Sequence, residues 1–414
     1  MGDQTLRVTI VGLHYRPEPT GNAPYTSGLA EGLAARGREV NVVTAFPHYP
    51  AWRIADGYSG FRVEEMIAGV SVRRSRPFVP SRPNGLKRLL MELSFGINSI
   101  FTGWAAPGTL ILVSPALFSV AIALARARVL HPRVPVIIWV QDIYTRGVAE
   151  AGALGASGAR IVKVIESAVL RRADAVVVIH DRFKRYLVDS LGVDASKVEV
   201  VRNWTHIVPT QPDRMAFRAL FGWGNEVVVL HAGNMGAKQA LENVVRAARL
   251  ADEDASHIRF VLLGNGNQRP RLEHLAHDVV KLEFMDSLDD ESFQGAMAAA
   301  DILLVNEKAG LSDMAVPSKL TSYFASGRPV IAVTDEGSIT AEEIASASAG
   351  IRVDTDDPAA LVREALALGN DASRGDEMGR NGKAFQALVL SEKAAISQYA
   401  EIITRLALKK PLSK

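Results

Sequence analysis

The chain has 414 residues, 48% of them apolar and 22% charged, so it can bury a sizeable core and is long enough for two to three domains. The absence of cysteine excludes a disulfide framework, a Cys-ligated zinc or iron–sulfur centre and a cysteine nucleophile. The net charge of +2 argues against a nucleic-acid-coating protein but conceals a split: residues 1–203 carry 25 Lys+Arg against 16 Asp+Glu, and residues 204–414 carry 22 against 29, as expected of two domains with different partners.

In chain order, residues 7–11 form a short apolar run that reads as a buried strand and not as part of a secretory signal, so a cytoplasmic protein is expected. The loop from Gly12 to Asn22 precedes a helix expected over 25–36. Such a loop can bind an anion through the free N–H groups of the helix start, or serve as a plain strand-to-helix turn. Strands follow at 39–44 and 70–73. A basic stretch with Arg73, Arg74, Arg76, Arg82, Lys87 and Arg88 then runs into a helix expected over 85–104. Leu86, Leu90, Leu93, Ile97, Ile100 and Trp104 alternate four and three apart, on one face. Basic residues beside such a face suit an anionic membrane surface; a core helix behind a solvated basic loop fits the same pattern. Residues 89–125 are the most apolar stretch, but Gly103, Pro107, Gly108 and Pro115 cut it into pieces shorter than the roughly 20 residues a spanning helix needs.

Strands at 110–113, 134–140, 175–179 and 198–201 alternate with helices at 117–130, 159–172 and 183–191. Asp142 follows the very apolar strand 134–140, where it can act as a base, orient a substrate or cap the next helix. Residues 203–223, with Pro209 and Pro212, read as a linker. Beyond it, strands fit 227–231, 258–263, 280–284, 302–305, 329–333 and 350–353. Helices fit 240–251, 271–278, 289–300, 319–326, 341–347, 358–369 and the tail 391–408. Strands that are continuously apolar imply parallel sheets covered on both faces. Their number implies two doubly wound domains, with ligands beyond the carboxyl ends of the strands in a cleft between them.

Three segments after strands carry candidate chemistry. Gly233, Asn234, Gly236 and Lys238 form a glycine loop with a lysine near a helix N-terminus, suited to a pyrophosphate or to a structural turn. Gly264 and Gly266, with Arg269 behind them, form a second turn of this kind. Residues 306–319 include Gly310, Leu311, Asp313, Ser318 and Lys319, and a lysine in the first turn of a helix opposes the helix dipole unless an anion is present. There is no P-loop, Gly-x-Gly-x-x-Gly fingerprint or Gly-x-Ser-x-Gly elbow. The nine histidines lack metal-ligand spacing, and His274 and His277, which share a helix face, read as a solvated pair.

The order of these motifs resembles family 4 retaining glycosyltransferases of the GT-B fold, over essentially the whole chain. The resemblance rests on the Tyr15–Gly21 and Leu33–Val40 segments, Gly233 to Gln239, Gly264 to Gly266, and Val316 to Lys319 leading to Ala325–Ala332. The Phe46–Pro50 and Gln141-Asp142 segments resemble the branch that builds capsules, colanic acid and O-antigen. The fold implied is α/β, two Rossmann-like domains with parallel sheets facing across a cleft. Residues 1–203 would bind the acceptor, 204–390 the nucleotide sugar, and 391–414 would cross back to the first domain. The activity implied is transfer, with retention, from a UDP- or GDP-sugar to a lipid-linked saccharide in surface polysaccharide assembly, at the cytoplasmic membrane face and without a resident metal or cofactor.

The resemblance assigns donor phosphates to Gly233, Asn234, Gly236, Lys238, Arg269 and Lys319. It assigns donor sugar and nucleotide to Gly264, Gly266, Gly310, Leu311, Asp313 and Ser318. The acceptor falls to Gly21, Asn22, His48 and Tyr49, and catalysis to Asp142 and Lys238; the basic stretch itself, and not the resemblance, offers Arg73, Arg74, Arg76, Lys87 and Arg88 for membrane contact. The family's Glu-x7-Glu pair falls on Met314 and Ser322, so neither carboxylate is present, and Asp313 or Glu307 would stand in for the first. A nucleotide-sugar 2-epimerase and a degenerate nucleotide-sugar or membrane-binding subunit share this fold and are the competing expectations.

Overall fold

The computed structural model describes residues 7–19, 21–82, 84–150, 156–204, 210–310 and 318–409. The chain divides into two compact units, Met1–Trp204 with Glu392–Lys414, and Thr205–Ser391. The first contains β1 (Arg7–Val11), α1 (Ala23–Ala35), β2 (Glu39–Ala45), β3 (Arg62–Ile67), β4 (Val70–Ser75), α2 (Gly85–Ile100), β5 (Thr109–Ser114), α3 (Leu117–Leu130), β6 (Val136–Val140), α4 (Tyr144–Glu150), α5 (Ala156–Arg171), β7 (Ala175–Val178), α6 (Asp181–Leu191) and β8 (Val198–Val200). The second contains α7 (Arg214–Leu220), β9 (Val227–Ala232), α8 (Glu242–Glu253), β10 (Ile258–Leu263), α9 (Arg269–Leu275), β11 (Leu282–Met285), α10 (Asp290–Ala299), β12 (Ile302–Asn306), α11 (Ser318–Ser326), β13 (Val330–Val333), α12 (Ile339–Ala347), β14 (Gly350–Val353), α13 (Pro358–Asn370) and α14 (Ala372–Leu388). The chain ends in α15 (Glu392–Lys409), which belongs to the first unit.

The first sheet has the order β3-β4-β2-β1-β5-β6-β7-β8, the second β11-β10-β9-β12-β13-β14. Both are doubly wound, and the order reverses between β1 and β5 in one and between β9 and β12 in the other. Every residue of β5, β6, β9 and β12 is buried, because helices cover both faces of these strands. The expectation of wholly parallel sheets needs one correction: β3 runs antiparallel to β4 at the sheet edge. Its burial alternates exposed and half-buried, and Glu64 and Glu65 interrupt it, so it lacks the continuous apolar run that marks the central strands.

Two further expectations change. The region read as a linker over 203–223 contains α7, whose start is capped by Asp213 accepting from the Met215 and Ala216 N–H groups; residues 205–209 lie outside the described residues. The helix expected to reach residue 104 stops at Ile100; Trp104 lies buried beyond it, its indole donating to Ser99 O at 3.2 Å.

The core of the first unit is completed by α15. Ala395, Ile396, Tyr399, Ile402, Ile403 and Leu406 join Leu29, Leu33, Trp139 and Trp204 in one cluster. Close approach of α15 to α1 depends on Gly32, where a Cβ would overlap the Ile396 side chain.

Candidate functional site

In the second unit, β9 and β10 lie side by side and their loops stay paired beyond the strands. Gly233 N–H donates to Leu263 O and Met235 N–H to Asn265 O, both at 2.8 Å, and Gln268 N–H returns to Met235 O at 3.0 Å. Glycine is needed where the backbones touch. Gly264 has φ +125°, and a Cβ there would overlap Gly233 O; a Cβ on Gly266 would overlap Met235 O. Gly233, at φ +129°, lies next to the Lys319 ammonium, since a Cβ on it would stand 3.7 Å from Nζ.

Lys319 is in the first turn of α11, and its Nζ lies 3.3 Å from His231 Nε2 in β9. His231 is fully buried, and burial together with Lys319 holds its imidazole well below the usual range, hence neutral. The neutral ring therefore accepts at Nε2 from the ammonium. Burial pushes the Lys319 ammonium down to about 8, against the attraction of Glu307. Both oxygens of Glu307 accept hydroxyl protons, from Thr340 and Thr334, at 2.6 Å each. Glu307 is thus part of the framework and not the free carboxylate the sequence offered as a sugar ligand.

Lys238 sits on a single helical turn, Ala237–Gln239, with its side chain exposed. Buried Asn306 secures that turn: its Nδ2 donates to Gln239 O at 2.7 Å and Ala240 O at 3.1 Å, and its Oδ1 accepts from Asn243. Lys308 N–H adds a bond to Lys238 O at 2.9 Å. Lys238 and Lys319 thus rise from clamped backbone beside glycine loops at the carboxyl ends of the strands, an arrangement suited to a diphosphate. Asn234 is exposed on the same loop, and Gly236 N–H donates to Gln239 Oε1 at 3.1 Å. Gly310 N–H donates to Asp335 at 2.8 Å. Leu311, Asp313 and the Ser318 side chain lie outside the described residues. Arg269 departs from its expected phosphate role. Its Nε donates to Glu273 (2.7 Å) and its Nη1 to Gly264 O (2.9 Å) and Asp286 (2.5 Å), which braces the Gly264 turn.

In the first unit, Asp142 is exposed beyond β6 and its Oδ1 accepts from Ile143 N–H at 2.8 Å. The neighbouring Gln141 accepts from Asn203 Nδ2 at 2.8 Å. Gly21, at φ +69°, packs near the Tyr49 ring, and Asn22 stands at the N-cap of α1 with a buried Oδ1 that lacks a partner. His48 is buried and Tyr49 half-buried, and their backbone N–H groups donate to Glu18 Oε1 at 2.7 and 2.9 Å. Among the described residues, His14, Glu18 and His48 are the one set of three His and acidic groups close enough together to hold a metal ion. Neither His14 nor Glu18 stands out in the sequence, because their link to His48 spans two loops.

The basic stretch divides. Arg74 does not face a membrane: it is 1% exposed, paired with Glu65, donates to Arg16 O and stacks over the Tyr15 and Tyr58 rings. Arg73, also in β4, is half-buried, bonded to Gly103 O at 2.8 Å and paired with Glu64 at 3.3 Å. Arg76, Arg82 and Arg88 are exposed and Lys87 is half-buried. The apolar face of α2 is the outer one, with Leu86 67%, Leu90 46% and Ile97 50% exposed. Its inner face carries Met91, Glu92, Phe95, Gly96 and Ser99. Among the described residues, no helix is long and apolar enough to cross a membrane.

Residues 20–204 match the family described as glycosyl transferase 4-like domain, and residues 226–371 match glycosyl transferases group 1. The chain is 32% identical over 338 residues to WcaI of Escherichia coli (strain K12), named as a colanic acid biosynthesis glycosyl transferase, with 78% of this chain and 82% of that one covered. It is 23% identical to a protein of Pseudomonas aeruginosa named as the glycosyltransferase WbjE, over 55% of this chain and 58% of that one. Among solved structures, sucrose-phosphate synthase of Thermosynechococcus elongatus superposes with a TM-score of 0.71 at 18% identity, over 97% of this chain and 99% of that one. Anabaena HepE in complex with UDP gives 0.64 at 14% identity, over 96% and 99%. At such identities the likeness concerns the fold.

Proposed function

The chain belongs to the glycosyltransferases built from a 4-like and a group 1 domain, and from that premise we propose that it moves a sugar from a UDP- or GDP-sugar in the second unit to a lipid-linked saccharide in the first. The product would enter surface polysaccharide assembly, as the name of the colanic acid relative suggests. The observation that carries the donor site is the Lys319 ammonium beside Gly233, hydrogen-bonded to a neutral imidazole and flanked by the turn that carries Lys238. As the glycosidic bond to the leaving nucleoside diphosphate breaks, charge develops on the phosphate oxygens, and fixed cations and amide N–H groups stabilise it. Gly233, Gly236, Lys238 and Lys319 form that phosphate set, with Arg269 as a brace. Transfer is proposed to retain anomeric configuration, in line with the family 4 resemblance.

The membrane reading is supported by the outward apolar face of α2 with Arg76, Arg82, Lys87 and Arg88 beside it, a combination suited to an anionic bilayer surface at the cytoplasmic face. The test is incubation with a panel of UDP- and GDP-sugars and a lipid-linked saccharide extract, following nucleotide release and the anomeric configuration of the product. Release well above that of Lys238→Ala is expected. Release no higher than in that variant, for every donor, would sink the transferase reading.

A further inference from the structure

The first sheet ends in β3, which pairs with β4 on one side only. The other strands at the sheet ends, β8, β11 and β14, are three or four residues long, and β3 has six. A short edge offers little to pair with, whereas an edge of six residues is a template for another strand. We propose that β3 is the surface through which two copies of this chain associate, edge to edge, antiparallel and in one register.

The ladder to β4 determines which backbone groups face outward. At one end Arg76 N–H donates to Phe61 O at 3.0 Å. At the other, the two-residue turn Ala68-Gly69, with both residues at positive φ, closes on the Ile67–Val70 pair. Hydrogen-bonded and non-hydrogen-bonded pairs alternate along an antiparallel ladder, so residues 61, 63, 65 and 67 aim their N–H and C=O groups at β4. Those of Arg62, Glu64 and Met66 aim away from it, and among the described residues no strand or loop pairs with them.

The charges select the register. In a two-fold pair of antiparallel strands, Arg62 opposite Glu64 of the second copy satisfies the outward backbone groups of both residues, and symmetry repeats the pair. Each guanidinium then faces a carboxylate across the new ladder. Arg62 is exposed and has no acidic partner among the described residues, while the Glu64 side chain is 71% exposed beside Arg73. Registers centred on residue 62, 64 or 65 would set like charges against each other, and one centred on Met66 would run into the turn. The favoured register is centred on half-buried Val63, which meets Val63 of the second copy in a non-hydrogen-bonded pair, where side chains come closest. Phe61, just before the strand, is 86% exposed and Met66 is 70% exposed. An antiparallel partner brings Phe61 of one copy to the end that carries Met66 of the other.

The test is the mass of the full-length protein by sedimentation and light scattering, and it is independent of the transferase reading. An interface built on one strand edge is small, so mass should climb from 44.6 kDa toward twice that over about 1–100 μM. Arg62→Glu and Glu64→Arg should each weaken self-association at least about tenfold, since each sets like charges opposite one another. Mixed one to one, the two variants should associate at least as well as wild type, which also shows that both are folded. The chain has no cysteine, so an introduced one is its sole thiol. Val63→Cys should form a disulfide-linked dimer under mild oxidation, because the two Cα atoms would be about 4.5 Å apart. Met66→Cys should not, as its two copies would stand roughly 20 Å apart along the ribbon. Wild type that stays at the mass of one copy up to about 100 μM would overturn the proposal. So would a dimer that both charge variants leave intact, or one that links as readily through Met66→Cys as through Val63→Cys.

Discussion

At the residue scale, Lys319 joins sequence, burial and the proposed donor site. A lysine at the start of a helix is electrostatically misplaced, and the fold adds burial beside His231, which pushes its ammonium down to about 8. In the proposed donor site the charged form is the one that would bind a diphosphate. Affinity for UDP or GDP should therefore fall as pH rises through about 8, as calorimetry at pH 7 and pH 9.5 would show. Lys319→Met should bind about 10–100-fold more weakly at pH 7, the loss of a charged hydrogen bond, and should lack this pH dependence. The effect on stability has the opposite sign. Between about 8 and the ordinary lysine value the unfolded chain holds more protons, so this group's contribution to stability rises with pH. An affinity that does not change between the two pH values would show that the ammonium does not touch the donor. The sequence pointed to Lys319 through the helix dipole, but its histidine partner could not be read, because residues 231 and 319 meet only through the sheet.

At the element scale, α2 shows what periodicity can and cannot say. The four-and-three spacing from Leu86 to Ile100 places those residues on one face. It does not say whether that face is covered. In the structure α2 lies against α3 through its narrow side, where Gly96 allows close approach: a Cβ there would be 2.8 Å from Ile122 Cδ1. The broad apolar face is left outward. The combined variant Leu86→Ser, Leu90→Ser, Ile97→Ser should reduce flotation with anionic liposomes severalfold. It should change stability by only about 0.5 kcal/mol per site, because those side chains are already exposed. Arg76, Arg82, Lys87 and Arg88 changed to Ala should act in the same direction, more strongly at low salt. Undiminished flotation in both variants would remove the membrane role from α2. The glycine loops make the complementary case: Gly264→Ala should cost about 1–3 kcal/mol by thermal unfolding and weaken nucleotide binding, since it pushes the Gly233 backbone off its partner.

At the scale of the whole molecule, the C-terminal helix ties the end of the chain into the first unit. Ile403 is fully buried there, so Ile403→Ala should destabilise by about 2–5 kcal/mol. Tyr399 is also fully buried, its ring 5.2 Å from that of Trp139, and its hydroxyl lacks a partner. Tyr399→Phe removes that burden and should be neutral or stabilising by about 1 kcal/mol in denaturant titration. A destabilisation as large as that of Ile403→Ala would reveal a partner for the hydroxyl. The basic excess of residues 1–203 also reads differently at this scale. Arg73 and Arg74 neutralise Glu64 and Glu65 of β3, so the net excess is carried by basic residues other than these two.

Sequence alone determined the α/β class, the two doubly wound units and the glycine loops of the proposed donor site. These follow from local rules: continuous apolar strands, helix periodicity, and glycine where a backbone must come close. It also brought Lys238 and Lys319 forward, since each is tied to a nearby helix start. Tertiary structure decided what depends on partners distant in the chain. It buried Arg74, turned Arg269 into a brace, closed Glu307 with two hydroxyls and aimed Glu18 at His14 and His48. The reason is common to all four: a charged side chain shows its type in the sequence, but the groups that satisfy it are supplied by other strands and loops, and they decide whether any of its charge remains for a ligand.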